Sequence, residues 1–198
     1  MEPSTDFDAL KVQAVGWSDS NRNRDEPSKY SGMGGFCTTT QIYWFYQLSR
    51  EEVDILPVHV TEMWAELIQL ALNGPELVGL RYLGYIDNQA AHLAILAQGA
   101  RDQRFLDMLL IRRHIIQDNG FSSGSALIPT DENNFGDPLS RGQIEIFLDR
   151  AYTAGFRNLR RVDVRKMGVP IDMAKVSAHL IAVTRAMVDA RRSDDSAS

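Results

Sequence analysis

The sequence predicts an α+β domain in which helices come first and a small antiparallel sheet with flanking helices follows. Two observations carry this. Apolar residues between positions 38 and 98 recur mostly at helical spacing, and an Asn119-Gly120 pair, a local hairpin signal, sits between two short apolar runs. With 198 residues, 44% of them hydrophobic, the chain can fill one core but not two independent ones. Residues 30–192 are therefore expected to form a single domain.

The elements follow in order. Residues 18–34 are polar, contain Gly and Ser and lack aliphatic side chains, so they read as loop, and 1–29 as a disordered or loosely ordered segment. The run 38–48, with Ile42, Trp44, Phe45, Tyr46 and Leu48, is too apolar all round for a surface helix and predicts a buried one beginning after Gly34-Gly35. The β-branched Thr38, Thr39 and Thr40 are tolerable only in its first turn. Residues 60–72 place Met63, Trp64, Leu67, Ile68 and Ala71 on one face and stop at Asn73-Gly74-Pro75, which predicts an amphipathic helix. A further helix is expected over 87–98, and a turn or two over 102–109. Residues 108–117 and 125–129 then read as two antiparallel strands around Asn119-Gly120. A helix over 142–154, a half-exposed strand over 157–167 and a long helix over 171–192 complete the domain, and 193–198 reads as a frayed tail.

Composition excludes several classes. No window approaches the roughly 18 apolar residues of a membrane span, and the first residues lack the basic and apolar regions of a secretory leader. Cys37 is the only cysteine, so intramolecular disulfides and cysteine-ligated metal clusters are ruled out. No phosphate-binding glycine loop is present. No two histidines stand at i and i+4, so no metal and no other cofactor is expected. The net charge of −5 hides an asymmetry: residues 150–192 carry ten basic side chains against Asp163, Asp172 and Asp189.

The expected chemistry centres on Cys37. At the first turn of the expected helix, its thiolate would be stabilised by the helix dipole, with Gly34 and Gly35 leaving the sulfur uncrowded. A lone cysteine is also commonly an inert core residue. A cysteine nucleophile needs a histidine to take its proton. Of His59, His92, His114 and His179, His114 stands out because it falls in an apparent strand, with the polar run Asp131-Glu132-Asn133-Asn134-Phe135-Gly136 about seventeen residues on.

Gly35-Phe36-Cys37 followed by an apolar run with Trp44, together with residues 130–136 and the 146–152 segment, resembles the YopT-type papain-like cysteine proteases, which bacterial pathogens and symbionts inject as effectors. The resemblance implies a papain-like fold with Cys37 as nucleophile, His114 as general base and Asp131, or equally Glu132, as the orienting acid. It also implies a hydrolase acting on a protein substrate and delivered to a host cell by a non-classical route, otherwise cytoplasmic. A deamidase or acyltransferase would use the same residues. On this reading nucleic acid is not expected as a partner. The alternative is a non-catalytic interaction protein whose basic C-terminal helix, with Lys175, Arg185, Arg191 and Arg192, binds an acidic protein, a membrane or nucleic acid.

Overall fold

The computed structural model describes residues 12–26, 28–167 and 171–196. The chain first lays down three consecutive antiparallel strands, β1 (Ala14–Asn21), β2 (Gly32–Cys37) and β3 (Ile42–Gln47). Helices α1 (Arg50–Ile55) and α2 (Val58–Asn73) then carry it back across the sheet. It enters β4 (Arg81–Ile86), which pairs in parallel with β1 on the side away from β2. Helices α3 (Gln89–Ala97) and α4 (Gln103–Asn119) lead to β5 (Ser122–Leu127), parallel outside β4. Then come α5 (Gly136–Ser140), α6 (Ile144–Thr153), the two-residue β6 (Arg160–Arg161) beside β3, and α7 (Met173–Ser196). Among the described residues the sheet order is β5-β4-β1-β2-β3-β6.

One face of the sheet supports α2, whose buried Met63, Trp64, Leu67 and Ile68 meet Met33, Trp44 and Tyr82, with α3, α4 and α7 extending the same core. The other face, over β1 to β3, is covered by α5 and α6 through Phe36, Leu139, Phe147 and Ala151. Gly34 permits this second layer. A Cβ there would lie 2.7 Å from the Leu139 carbonyl carbon, so only glycine lets the backbone of α5 press onto β2.

The expected papain-like α+β fold is therefore corrected: the sheet is large, mixed and central, and it begins before the first helix. The stretch read as loop, 18–34, contributes the second half of β1 and the first half of β2. The expected helix over 38–48 is instead a turn and β3, because Ile42 and Trp44 point to the α2 face while Tyr43 and Phe45 point to the other, so a strand buried on one side and half-buried on the other looks apolar all round. The expected hairpin at Asn119-Gly120 is a helix end. Residues 108–117 continue α4 from its N-cap Asp102, and Gly120, at φ +63°, closes it in the left-handed conformation. The strand expected over 157–167 shrinks to β6 and a 3-10 turn at Val164–Lys166. The helices expected at 60–72, 87–98, 142–154 and 171–192 correspond to α2, α3, α6 and α7. Residues 1–11 of the segment read as loose, and 197–198 of the tail, lie outside the described residues, while 193–196 belong to α7.

Candidate metal centre

β1 and β4 lie side by side in parallel, yet the chain leaves β1 toward β2 and leaves β4 toward β5 in the opposite direction. Such a reversal opens a crevice at the carboxyl ends of the two strands. Asp19 stands near the end of β1, Asp87 directly follows β4, and Glu62 reaches the same place from the second turn of α2. Each offers a carboxylate oxygen, and the three oxygens lie within 4.8 Å of one another.

The surroundings aim these groups rather than neutralise them. The Ser20 N–H donates to Glu62 Oε1 (3.1 Å), and the Ser20 hydroxyl donates to Thr61 Oγ1 (2.6 Å), tying α2 to β1. The Ser140 hydroxyl donates to Asp19 Oδ2. Asp137, at the start of α5, adds a fourth negative charge beside Asp19 and is held by Arg141, whose Nε lies 2.6 Å from Asp137 Oδ1. Asp19 and Glu62 are 3% and 4% exposed, and Glu62 Oε2 has no hydrogen-bond partner. Burial, then repulsion from Asp87 and Asp137, pushes Asp19 up to about 7 despite the Ser140 bond. Burial, then Asp19 and Asp87, raises Glu62 well above the carboxylate range.

Carboxylates crowded this closely call for a cation. Oxygen ligands bind Mg²⁺ at about 2.1 Å and Ca²⁺ at up to about 2.6 Å, so oxygens within 4.8 Å of one another can share one such ion. The unpartnered Glu62 Oε2 supplies a buried lone pair without a donor. The residues present fit a hard divalent cation.

The thiol site read from the sequence is not assembled. Cys37 ends β2 rather than starting a helix, is 0% exposed in the α2-side core, and its thiol is pushed up by burial, with opposing contributions from Thr40 and Thr39. His114 is exposed on α4, and Asp131 and Glu132 are exposed in a 3-10 turn. No hydrogen bond joins these residues among those described. Buried away from water, with no histidine among the groups that shift its thiol, Cys37 is expected to react with iodoacetamide at least about a hundredfold more slowly in the folded protein than in urea, at a rate indifferent to His114→Ala. Alkylation kinetics at pH 8 check this.

This architecture is that of the RNase H-like fold. The RNase H1 of the halophilic archaeon Halobacterium salinarum NRC-1 superposes with a TM-score of 0.52 at 12% identity, covering 70% of this chain and 98% of that one. LC11-RNase H1, solved in complex with RNA/DNA hybrid, gives 0.50 at 13% identity, covering 67% and 99%. A scan of family models and a search of curated proteins by sequence both find no match. The likeness replaces the papain-like assignment and removes the basis for a cysteine protease with a protein substrate. The expectation that nucleic acid is no partner rested on the papain-like assignment and is withdrawn with it; LC11-RNase H1 itself is solved with RNA/DNA hybrid bound.

Sequence reasoning missed all of the clustered acids, although two signals were present. Glu62 and Glu66, four apart, stand among the apolar residues of α2 and would share one face of it. Asp87 follows a strand-like Tyr82-Leu83-Gly84-Tyr85-Ile86 run directly.

Proposed function

We propose that this protein is a divalent-metal-dependent nuclease that hydrolyses phosphodiester bonds in nucleic acid. The observation that carries the reading is the convergence of Asp19, Glu62 and Asp87 at the β1/β4 switch point, with Glu62 Oε2 buried and unpartnered. The RNase H-like fold supports it, and the hybrid bound to LC11-RNase H1 indicates the class of substrate to try first.

Asp19, Glu62 and Asp87 would hold the ion, and Asp137 stands close enough to assist. A divalent ion held there would supply Lewis-acid chemistry, polarising the phosphoryl oxygens and lowering the pKa of a water. The protein keeps the ligands in place beforehand. Ser140 occupies Asp19 Oδ2 and leaves Oδ1 free, and the Ser20 N–H does the same for Glu62 through Oε1. Arg141 sets a guanidinium at the rim beside Asp137, where it can meet a phosphate oxygen of the substrate.

The test is cleavage of end-labelled RNA/DNA hybrid, double-stranded RNA, double-stranded DNA and single-stranded RNA in Mg²⁺, Mn²⁺ or EDTA. Metal-dependent cleavage of at least one substrate, abolished by EDTA and by Glu62→Gln, is expected. Cleavage that survives EDTA, or none with any substrate in either metal, contradicts the reading.

A further inference from the structure

The two faces of the sheet are not covered to the same extent. On the side away from α2, α5 and α6 lie over β1, β2 and β3 and seal Phe36, which is 0% exposed. Beyond β1 that side carries Leu83 and Tyr85 of β4 and Gly124 and Ala126 of β5, all half-buried. The alternate residues of β4, Tyr82, Gly84 and Ile86, face α2 and are buried.

An aromatic pair stands at the border of the covered and uncovered parts. Trp17 of β1 is the register partner of Tyr85, and the two rings lie 5.2 Å apart with their planes inclined at 38°. Phe135 meets Trp17 edge-on at 4.9 Å and is itself backed by Phe36 at 5.2 Å, so the Trp17 ring is anchored to the core behind it. On its other flank Tyr85 has Ala126 of β5 as register partner, and a methyl group beside a phenol ring leaves the outer side of that ring open. Trp17 and Tyr85 are both half-buried. A pair that served to fill the core would be closed over, as Phe36 is.

The rings are continuous with the acidic site. Trp17 stands two residues before Asp19, and Tyr85 two before Asp87. Side chains two apart along an extended chain share a face and sit about 7 Å apart, so the rings form a shelf directly below the acids. Trp17, Tyr85 and the neighbouring Leu83, Gly124 and Ala126 carry no charge, so the shelf suits a flat, uncharged group with a π face rather than a phosphate. In nucleic acid that group is a base. A base within a duplex has both faces covered by its neighbours in the stack, so an unpaired one is needed to lie on the rings.

We propose that Trp17 and Tyr85 form a stacking shelf for an unpaired base next to the bond being cleaved, which makes single-stranded nucleic acid the substrate class this site prefers. This rests on the nuclease reading and deepens it. Every base has a π face, so the preference follows strandedness and not sequence.

Trp17 reports on its own occupancy, because the other two tryptophans, Trp44 and Trp64, are 0% exposed. Tryptophan emission of full-length Glu62→Gln protein in Mg²⁺ is followed as single-stranded RNA of about 12 nucleotides, or a blunt RNA/DNA hybrid of the same sequence, is added. Anisotropy of a labelled strand reads binding in parallel. The single strand is expected to quench the emission as it binds, and the blunt hybrid to leave it unchanged. Tyr85→Leu, which keeps an apolar side chain on the half-buried face, should weaken the single strand at least about tenfold and the hybrid less than about twofold. Should that variant not fold, the quenching comparison decides without it. Saturating binding of the single strand with unchanged emission would overturn the proposal, as would no binding of it, equal quenching by the hybrid, or equal loss of both substrates in Tyr85→Leu. An emission shift on concentrating the protein alone would overturn it too, since the face would then belong to a second copy of the chain. If the wild type cleaves hybrid while single strands leave Trp17 unchanged, the shelf fails and the nuclease reading stands. If single strands quench Trp17 and the wild type cleaves nothing, the nuclease reading fails alone.

Discussion

Asp19→Asn is expected to lose metal-dependent cleavage by at least about a hundredfold, the scale of removing one charge-stabilising group from an active site, and yet to melt higher than the wild type in EDTA at pH 8. The second effect follows from the crowding at the β1/β4 end. Asp19 titrates near 7 in the folded protein, against 3.8 for the free group, because it is buried beside Asp87 and Asp137. Between those two values the folded state holds a proton that the unfolded state has released. The contribution of Asp19 to the stability of the metal-free protein therefore falls as pH rises from about 4 to about 7, then levels. A neutral amide escapes this, and it retains an oxygen for the Ser140 hydroxyl. A gain on the order of 2 kcal/mol at pH 8 corresponds to roughly 4–8 °C for a chain of this length, and it should vanish near pH 4. Thermal melts in EDTA at the two pH values, beside a cleavage assay in Mg²⁺, read both effects. A variant that melts lower than the wild type at pH 8 would show that the carboxylates are not in mutual repulsion.

The largest loss of stability is expected one helical turn deeper, at Glu66 and Arg112. Glu66 is 0% exposed with neither carboxylate oxygen in a hydrogen bond, and Arg112 is 2% exposed, donating from Nη2 to Ser123 Oγ (2.7 Å) while its Nε has no partner. Burial pushes Glu66 up to about 7, against the pull of the Arg112 guanidinium. The Tyr82 hydroxyl and Gln69 Nε2 lie in the same layer, also unpartnered, close under Gly16. Arg112→Met leaves a buried carboxylate without its counter-charge, which costs about 3–5 kcal/mol and lowers Tm by roughly 10 °C at pH 8. At pH 5, where Glu66 is protonated, the loss should be smaller. Combining the change with Glu66→Leu removes both charges and should recover much of the deficit. Denaturant melts of the two single variants and the double give the coupling, and a single-variant loss below about 1 kcal/mol would mean the pair does not interact across the core.

These two layers, an acidic cluster at the strand ends and a polar seam beneath it, explain why the sequence was only partly legible. Helices α2, α6 and α7 announce themselves through an apolar face, since 3.6-residue spacing is a local property, and α3 through its helix-favouring Ala- and Leu-rich run ended before Gly99. The strands at the centre do not. β2 is Gly32-Met33-Gly34-Gly35-Phe36-Cys37, where glycine is required by the close approach of α5 rather than by a turn, so a buried strand has the composition of a loop. β3 is buried on its α2 face and half-buried on the other, and with apolar or aromatic residues on both faces its sequence carries no alternation to detect. Gly120 satisfies a helix end as well as a hairpin, and only the continuation of Phe105, Met108, Arg112 and Ile115 along one buried face decides between them. Taking that segment for a strand placed His114 beside Asp131 and drew attention to a thiol that in fact packs in the core.

The acids were illegible for a different reason. Asp19, Glu62 and Asp87 come from two strand ends and a helix, and nothing local relates them until the parallel β1/β4 pairing brings them together. The carboxylates within the apolar stripe of α2 were the accessible hint, since an acid buried at a core position calls for a partner.

The most direct test of the central claim is calorimetric titration of Mn²⁺ into metal-free protein at pH 8, for the wild type and Glu62→Gln. Saturable binding to the wild type, weakened at least about tenfold by the single change of carboxylate to amide, is the predicted result. Absence of binding to the wild type, or equal affinity in the variant, would contradict the assignment of Asp19, Glu62 and Asp87 as a divalent-cation site.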